Sequence, residues 1–421
     1  MIGNQSRWLV LVTLALMLTA AQCAGPGRAI EPTPEPVELS YVSFLGDAGA
    51  EDAEGRLIEQ FQALYPHLTV DVRPIQRGPL TYLADQSPPD LMTATADANI
   101  MAAIADGQIL DVSDLWSKSD LKESYVPGLR SLGEWNGKQY FLPVGFTWNA
   151  IYYNREIFDT YNLTPPQTWD EFLAISDTLL ANGVTPIALA GQDIWALTTW
   201  FDYLNLRLNG PDFREGLIRG QESYDDLRIH DVFDTWRFLL DSGYFIERSY
   251  LQNQLKSLTQ VSTGEAAMVL ANPINLSELP ATLVERLDFF AFPQMDPNVP
   301  AGEITPTFGY IIPANTAHPV EAMTFLTFMA SKEVQLAMSE QLSASVSILP
   351  VYRDLDPQTI PTTVRAGYDL VREVDYVGQP FIFTITDQAI RQTDLAFRQF
   401  LQDPATLDEV ISKLAEIHQA E

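Results

Sequence analysis

Carboxylates and aromatic rings are the side chains of this sequence best suited to chemistry. It carries 55 acidic residues together with 8 Trp, 16 Tyr and 21 Phe. Two carboxylates set at a defined separation across a cleft can hydrolyse a glycosidic bond. Carboxylates that converge between aromatic walls can instead hold an organic cation. Asp47, Asp97 and Asp193 lie outside the main predicted elements and would form such a cluster if the fold brought them together. Most other acidic residues fall on predicted helix faces, where solvation is their ordinary role. No HExxH, G-x-S-x-G or G-x-x-x-x-G-K-[ST] run occurs, so the usual signatures of a zinc peptidase, a nucleophilic serine and a phosphate loop are missing. The four histidines, His67, His230, His318 and His418, are scattered without ligand spacing. Neither a metal nor a cofactor is expected.

These groups must be positioned by a sizeable scaffold. With 421 residues, 46% hydrophobic and 19% charged, the chain is longer than one core usually organises, and two domains are expected. The formal charge of -30 repels nucleic acid, anionic lipid and anionic ligands, so a neutral or cationic ligand fits better and no nucleic-acid partner is expected. Val37 to Leu45 and Leu68 to Ile75 read as strands around an amphipathic helix from Glu51 to Tyr65. That order predicts a βαβ unit with a parallel strand pair. Leu91 and Met92 extend it as a short buried strand. Further on, helical spacing covers Trp169 to Ala181, Ala196 to Leu208, Ile229 to Ser242 and Asn253 to Thr263, with strands at Leu287 to Phe292 and Phe308 to Ile312. No internal repeat is present.

The first residues read differently. Residues 1–23 carry Arg7, then an apolar stretch from Trp8 to Ala21, then small residues and Cys23, the single cysteine. Such a stretch is too short to span a bilayer and reads as an export signal. The cysteine resembles the acylated residue of bacterial lipoproteins, although Ala20, Ala21 and Gln22 precede it where the lipobox prefers Leu, a small residue and then Gly or Ala. Residues 24–36, with Pro26, Pro32, Pro34 and Pro36, should form an extended tether. Lipidation at Cys23 would leave the body extracytoplasmic and anchored to the membrane, or periplasmic without the anchor. A lone cysteine leaves no internal disulfide.

The run from Trp135 to Pro186 is the most specific motif. It holds Asn136, Gly137, Lys138, Tyr140 and Pro143, then Tyr152, Tyr153, Asn154 and Phe158, then Pro165, Pro166, Thr168, Trp169, Asp170 and Glu171, and closes on Gly183, Thr185 and Pro186. This segment resembles the crossover of family 1 extracellular solute-binding proteins, the sugar-binding, maltose-binding-protein-like type that serves ABC importers. The resemblance covers nearly the whole chain after the tether. It implies the α/β, periplasmic-binding-protein-like type II architecture, two α/β lobes joined by a hinge with a ligand cleft between them. Residues 37–145 with 305–350 would form the first lobe, and 146–304 with 351–421 the second.

The same resemblance implies where a ligand would sit. A sugar presents hydroxyls in its ring plane and weakly apolar faces, so its site combines carboxylates or amides with exposed rings. Phe44 and Asp47 fall in the first ligand loop, with a helix cap as the competing role for Asp47. Asp97 follows the PPDLM run at the position of a ligand carboxylate. Thr147 stands where relatives carry a carboxylate, beside Trp148, which serves either stacking or hinge packing. Gln192, Asp193 and Trp195 open a helix where relatives place a stacking ring. Asn272 lies in a loop where Ile274 replaces the usual aromatic. Phe308 and Gly309 match a strand entry that allows close backbone approach. Ser345–Ser347 match a second hinge element.

The expected function is capture of a mono- or oligosaccharide by hinge closure and delivery to an ABC permease, by a monomeric protein that is not an enzyme. Two alternatives remain open at this point: a receptor for a cationic solute such as a polyamine, and a secreted glycoside hydrolase.

Overall fold

Residues Val37–Ser43 and Leu68–Pro74 pair in parallel over their full length, from Val37 opposite Leu68 to Ser43 opposite Pro74. The helix between them, Glu51–Leu64 (α1), buries Leu57, Ile58 and Phe61. This is the βαβ unit that the periodicity predicts, since a parallel pair needs a crossover long enough to hold a helix. The computed structural model describes residues 35–45, 51–117, 120–342, 348–360, 362–372 and 374–419. Cys23, most of the tether, Asp47 and Ser345–Ser347 lie outside them, so the expectations for those residues stay as stated.

In chain order the strands are β1 (Val37–Ser43), β2 (Leu68–Pro74), β3 (Leu91–Thr95), β4 (Glu134–Trp135), β5 (Lys138–Gln139), β6 (Leu142–Phe146), β7 (Ala150–Asn154), β8 (Thr185–Ala188), β9 (Ala266–Ala271), β10 (Leu287–Phe290), β11 (Gly302–Ile304), β12 (Thr307–Ile311) and β13 (Tyr376–Gly378). They form a five-stranded sheet of order β2-β1-β3-β12-β6, a four-stranded sheet of order β10-β7-β9-β8, and two-stranded pieces β11-β13 and β4-β5. β12 runs antiparallel to both β3 and β6. Each larger sheet carries helices, which gives two α/β lobes.

The chain passes between the sheets from β6 to β7 through residues 147–149, and from β11 to β12 through residues 305–306. Close strand contact at this place depends on glycine. A Cβ on Gly309 would lie 1.9 Å from the Leu142 carbonyl oxygen, and the pairing slips in register between Phe308 and Gly309. The approach that Gly309 permits is thus to the backbone of a neighbouring strand rather than to a ligand.

Local signals account for several boundaries. The motif residue Asn154 caps the helix that follows β7, accepting from the Ile157 amide. Thr168 and Glu171 form a reciprocal capping box at the start of α2 (Trp169–Ala181), which satisfies two orphan helix amides. Helix α3 (Ile194–Ile218) exceeds the expected Ala196 to Leu208, because a second helical segment runs on directly from the first across a break at Gly210, where φ is 81° and Pro211 follows. Two helices beyond the assigned elements, α4 (Asp387–Gln402) and α5 (Leu407–Gln419), bury Phe397, Phe400, Val410, Ile411 and Leu414 in the second lobe's core.

Residues 351–353 depart from the expected lobe partition, continuing a stretch that begins at Leu349. Leu349 bridges Phe146, Tyr352 bridges Tyr125, and the amides of Val126 and Arg353 donate to Val351 and Ser124 carbonyls. Backbone pairing therefore holds this stretch to the first lobe. Among the described residues no helix is long and apolar enough to cross a membrane.

Candidate functional site

A cavity of about 460 Å³ opens beside the crossings, lined by residues from the loop before α3, the end of β9, the loop after it, Pro306 and the C-terminal segment. Its apolar wall begins at Trp195, on the first turn of α3. Trp195 is 44% exposed, and its ring meets Phe383 edge to face, with centroids 5.0 Å apart at 89°. One ring thus offers a free face while the other braces it. Ile274, 40% exposed, adds an aliphatic surface to the same cavity.

The loop carrying Gln192 and Asp193 is fixed by its neighbours. The Gln192 amide donates to the Gln252 carbonyl at 2.9 Å, and Gly191 donates to Ser249. A Cβ on Gly191 would meet the Tyr250 Cα at 2.7 Å, so only glycine lets these chains pack this closely. The Asp193 carboxylate accepts from the Gln254 amide at 2.6 Å. Arg398, on α4, donates from Nε to Asp394 at 2.8 Å and from Nη2 to the Gln192 carbonyl, so it closes one end of the cavity. Asp193 therefore spends part of its acceptor capacity on the fold.

Asn272 has a different place. Its Nδ2 donates to Thr147 Oγ1 at 2.9 Å, to the Trp148 carbonyl at 2.9 Å and to Asn149 Oδ1 at 3.3 Å. Its Oδ1 accepts from the Ile274 amide at 3.0 Å. Thr147 is correspondingly buried, with its amide donating to the Pro306 carbonyl at 3.0 Å. Asn272 belongs to the crossing as much as to the cavity, whereas Thr147 lies at the crossing and does not line the cavity.

A model of the bacterial extracellular solute-binding protein family matches residues 49–336. The chain belongs to the bacterial extracellular solute-binding protein family. Among its relatives is an uncharacterized ABC transporter extracellular-binding protein of Pyrococcus horikoshii, 26% identical over 78% of this chain and 76% of that protein. The multiple sugar-binding protein of Streptococcus mutans is 26% identical over 56% of this chain and 57% of that one. In three dimensions the chain is similar to the bacterial solute receptor AcbH, described as having an exclusive preference for b-D-galactopyranose, with a TM-score of 0.83, 21% identity and coverage of 92% of this chain and 98% of that one. As an extracellular solute-binding protein, it acts outside the cytoplasm.

The structure brings Gln192, Asp193, Trp195 and Asn272 to one cavity, and places the other expected site residues elsewhere. Asp97 caps the helix Ala98–Ala105, accepting from the Ile100 amide at 3.0 Å and from Thr95 Oγ1 at 2.8 Å. Burial pushes its carboxyl above the ordinary value of 3.8, with Asp387 adding a smaller like-charge push and these hydrogen bonds opposing. Trp148 is 2% exposed, packs against Phe289, and touches the position a Cβ on Gly367 would take. Its ring is hinge packing and leaves no face for stacking. Phe308 is also buried, edge to face with Phe44 at 6.2 Å, and the Phe44 amide donates to Thr93 Oγ1 at 2.9 Å. Neither phenylalanine lines the cavity.

Sequence reasoning missed Phe383 and Arg398, which reach the solute-binding protein's cavity from the segment after β13. The only available signal was the apolar periodicity of Asp387–Gln402, which marks a helix but not the face that borders a ligand. Phe383 comes from more than a hundred residues after Ile274, the position where the usual aromatic is absent.

Proposed function

We propose that the protein captures a mono- or oligosaccharide between its two lobes, closes on it by hinge motion, and delivers it to an ABC permease without chemical change. The observation that carries this reading is the exposed Trp195 ring in a cavity ringed by carboxamides, Asn149, Gln192, Gln254, Asn272 and Asn275. A carboxamide both donates and accepts, which suits hydroxyls, while the ring suits the apolar sugar face; Asn149 and Asn272 spend part of that capacity on the crossings. The sugars attached to relatives, b-D-galactopyranose for the AcbH receptor and sugars for the Streptococcus mutans protein, support the same reading.

Arg398 at the cavity wall opposes a polyamine, and Asp97 does not line the cavity. Asp193 is the one carboxylate among the described residues lining it, whereas glycoside hydrolysis calls for two. We also propose residues 1–23 as an export signal, acylation at Cys23, residues 24–36 as the tether and a monomeric body. The proposed lobes are 37–145 with 305–350, and 146–304 with 351–421, less the stretch paired to the first lobe.

The test is a thermal-shift plate containing D-galactose, D-xylose, maltose and raffinose beside putrescine and spermidine, with nitrophenyl glycosides assayed in parallel. A ligand that binds only the folded state raises the melting temperature by mass action. A sugar-specific rise is expected. A rise with polyamine alone, or release of nitrophenol, would overturn the proposal.

A further inference from the structure

The crossing from the first sheet to the second is held by side-chain amides rather than by backbone pairing alone. β7 pairs with β9 up to Ala150 opposite Ala271, and the next residue of each strand, Asn149 and Asn272, carries the contact on through side chains. Asn272 has two amide hydrogens and three oxygens within reach, all on residues 147–149: Thr147 Oγ1, the Trp148 carbonyl and Asn149 Oδ1. Asn149 in turn donates to the Ile304 carbonyl at 3.0 Å, at the second crossing. A third amide, Gln379, spans both main-chain groups of Thr307, donating to its carbonyl at 3.1 Å and accepting from its amide at 3.3 Å. Asn272 and Asn149 also line the cavity, so the ligand site and the crossings share a wall.

We propose that Asn272 is a positioning residue that clamps the first crossing to the second lobe and so sets where the hinge bends. With the clamp in place, residues 147–149 move with β7 and β9, and bending is confined to the Phe146–Thr147 junction where β6 ends. Without it, the ladder ends at Ala150 and bending spreads through three more residues. The proposal rests on the hinge-closure reading above, but not on which solute is bound. A ligand pressing on the Asn272 or Ile274 wall would act on the clamp directly, because the Asn272 carboxamide also caps the Ile274 amide.

The test needs no ligand. Val320, 72% exposed on the helix Pro319–Met329 of the first lobe, and Leu227, 77% exposed on the helix Leu227–Asp241 of the second, are replaced by Cys and spin-labelled, with Cys23→Ser so that only they react. Interlobe distances are measured by pulsed electron resonance in the otherwise native chain and in the Asn272→Asp, Thr147→Val and Ile274→Ala backgrounds. Asn272→Asp keeps the shape but turns a donor into an acceptor facing carbonyl oxygen. Thr147→Val removes one acceptor and leaves Asn272 in place, so it gives a reading even if Asn272→Asp fails to fold. Loss of one net hydrogen bond allows roughly a three- to tenfold rise in population outside the native distance range. That broadening is expected for Asn272→Asp, with a smaller one for Thr147→Val and none for Ile274→Ala. Unchanged distances in both clamp variants, or equal broadening in Ile274→Ala, would overturn the proposal. A failure of the sugar reading would appear in the thermal-shift plate and leave this outcome unaffected.

Discussion

Asp202 and Arg214 form a buried ion pair within α3 whose removal can be given a magnitude. Both side chains are 2% exposed, with Arg214 Nε and Nη2 at 2.6 and 2.9 Å from the Asp202 carboxylate. The carboxylate also accepts from the Phe381 amide at 2.8 Å, and Arg214 donates to Tyr376 Oη at 2.6 Å and to the Gln379 carbonyl at 2.5 Å. Burial works against the Arg214 charge, but Asp202, Tyr376 and Glu215 together outweigh it and hold the guanidinium charged. Asp202→Ala leaves that charge buried with no full counter-charge beside it except the half-exposed Glu215, which should cost about 3–5 kcal/mol. Arg214→Met leaves the Asp202 carboxylate buried with one amide donor and should cost about as much. For the unit Val37–Glu421, an unfolding entropy of about 0.8 kcal/mol per kelvin turns each loss into about 4–6 °C of melting temperature. The double variant leaves neither charge stranded, so its loss should fall short of the additive sum by about 2 kcal/mol or more. Urea denaturation followed by tryptophan fluorescence measures all three. Additivity within about 0.5 kcal/mol would refute the idea that the two charges depend on each other.

Three further outcomes are expected. Trp195→Ala should weaken binding of the sugar found in the thermal-shift plate by about 30-fold or more, as loss of a central aromatic anchor does; because Phe383 braces that ring, Phe383→Ala should add little on top of it, and additive calorimetric losses would contradict the brace. Asp97→Asn keeps the helix cap. Burial raises the Asp97 carboxyl above 3.8, so the native residue's contribution to stability is full below that pH and lost as pH rises through the raised value. The Asn variant's relative stability in urea should therefore be higher at pH 7 than at pH 3.5, and an equal difference at both would count against the assignment. Gly309→Ala places a methyl 1.9 Å from the Leu142 carbonyl oxygen and should cost about 1–3 kcal/mol or more by forcing the strands apart, read from the shift of the urea midpoint.

The α/β class and several helix boundaries are legible in the residues because those features are written in local physics, and the family and its crossover are legible through the resemblance of the Trp135 to Pro186 run. Asn154 and Thr168 cap their helices through bonds to residues three positions away, and the apolar spacing of residues 57–61 must face a core wherever the helix lies. Trp195 enters through the family resemblance, which implies a stacking ring on the first turn of this helix, and its ring borders the cavity. The rest of the site comes from long-range packing. Phe383 and Arg398 approach Gln192 and Trp195 across roughly two hundred residues of chain, and no local pattern encodes such a meeting. The same holds for two expected site residues that do not line the cavity: Trp148 is core, where Gly367 lets a helix pack onto it, and Asp97 caps a helix by accepting from the Ile100 amide. A carboxylate or ring is eligible for binding by its chemistry, but the hydrogen bonds and packing that distant segments supply decide whether any of that capacity is left free.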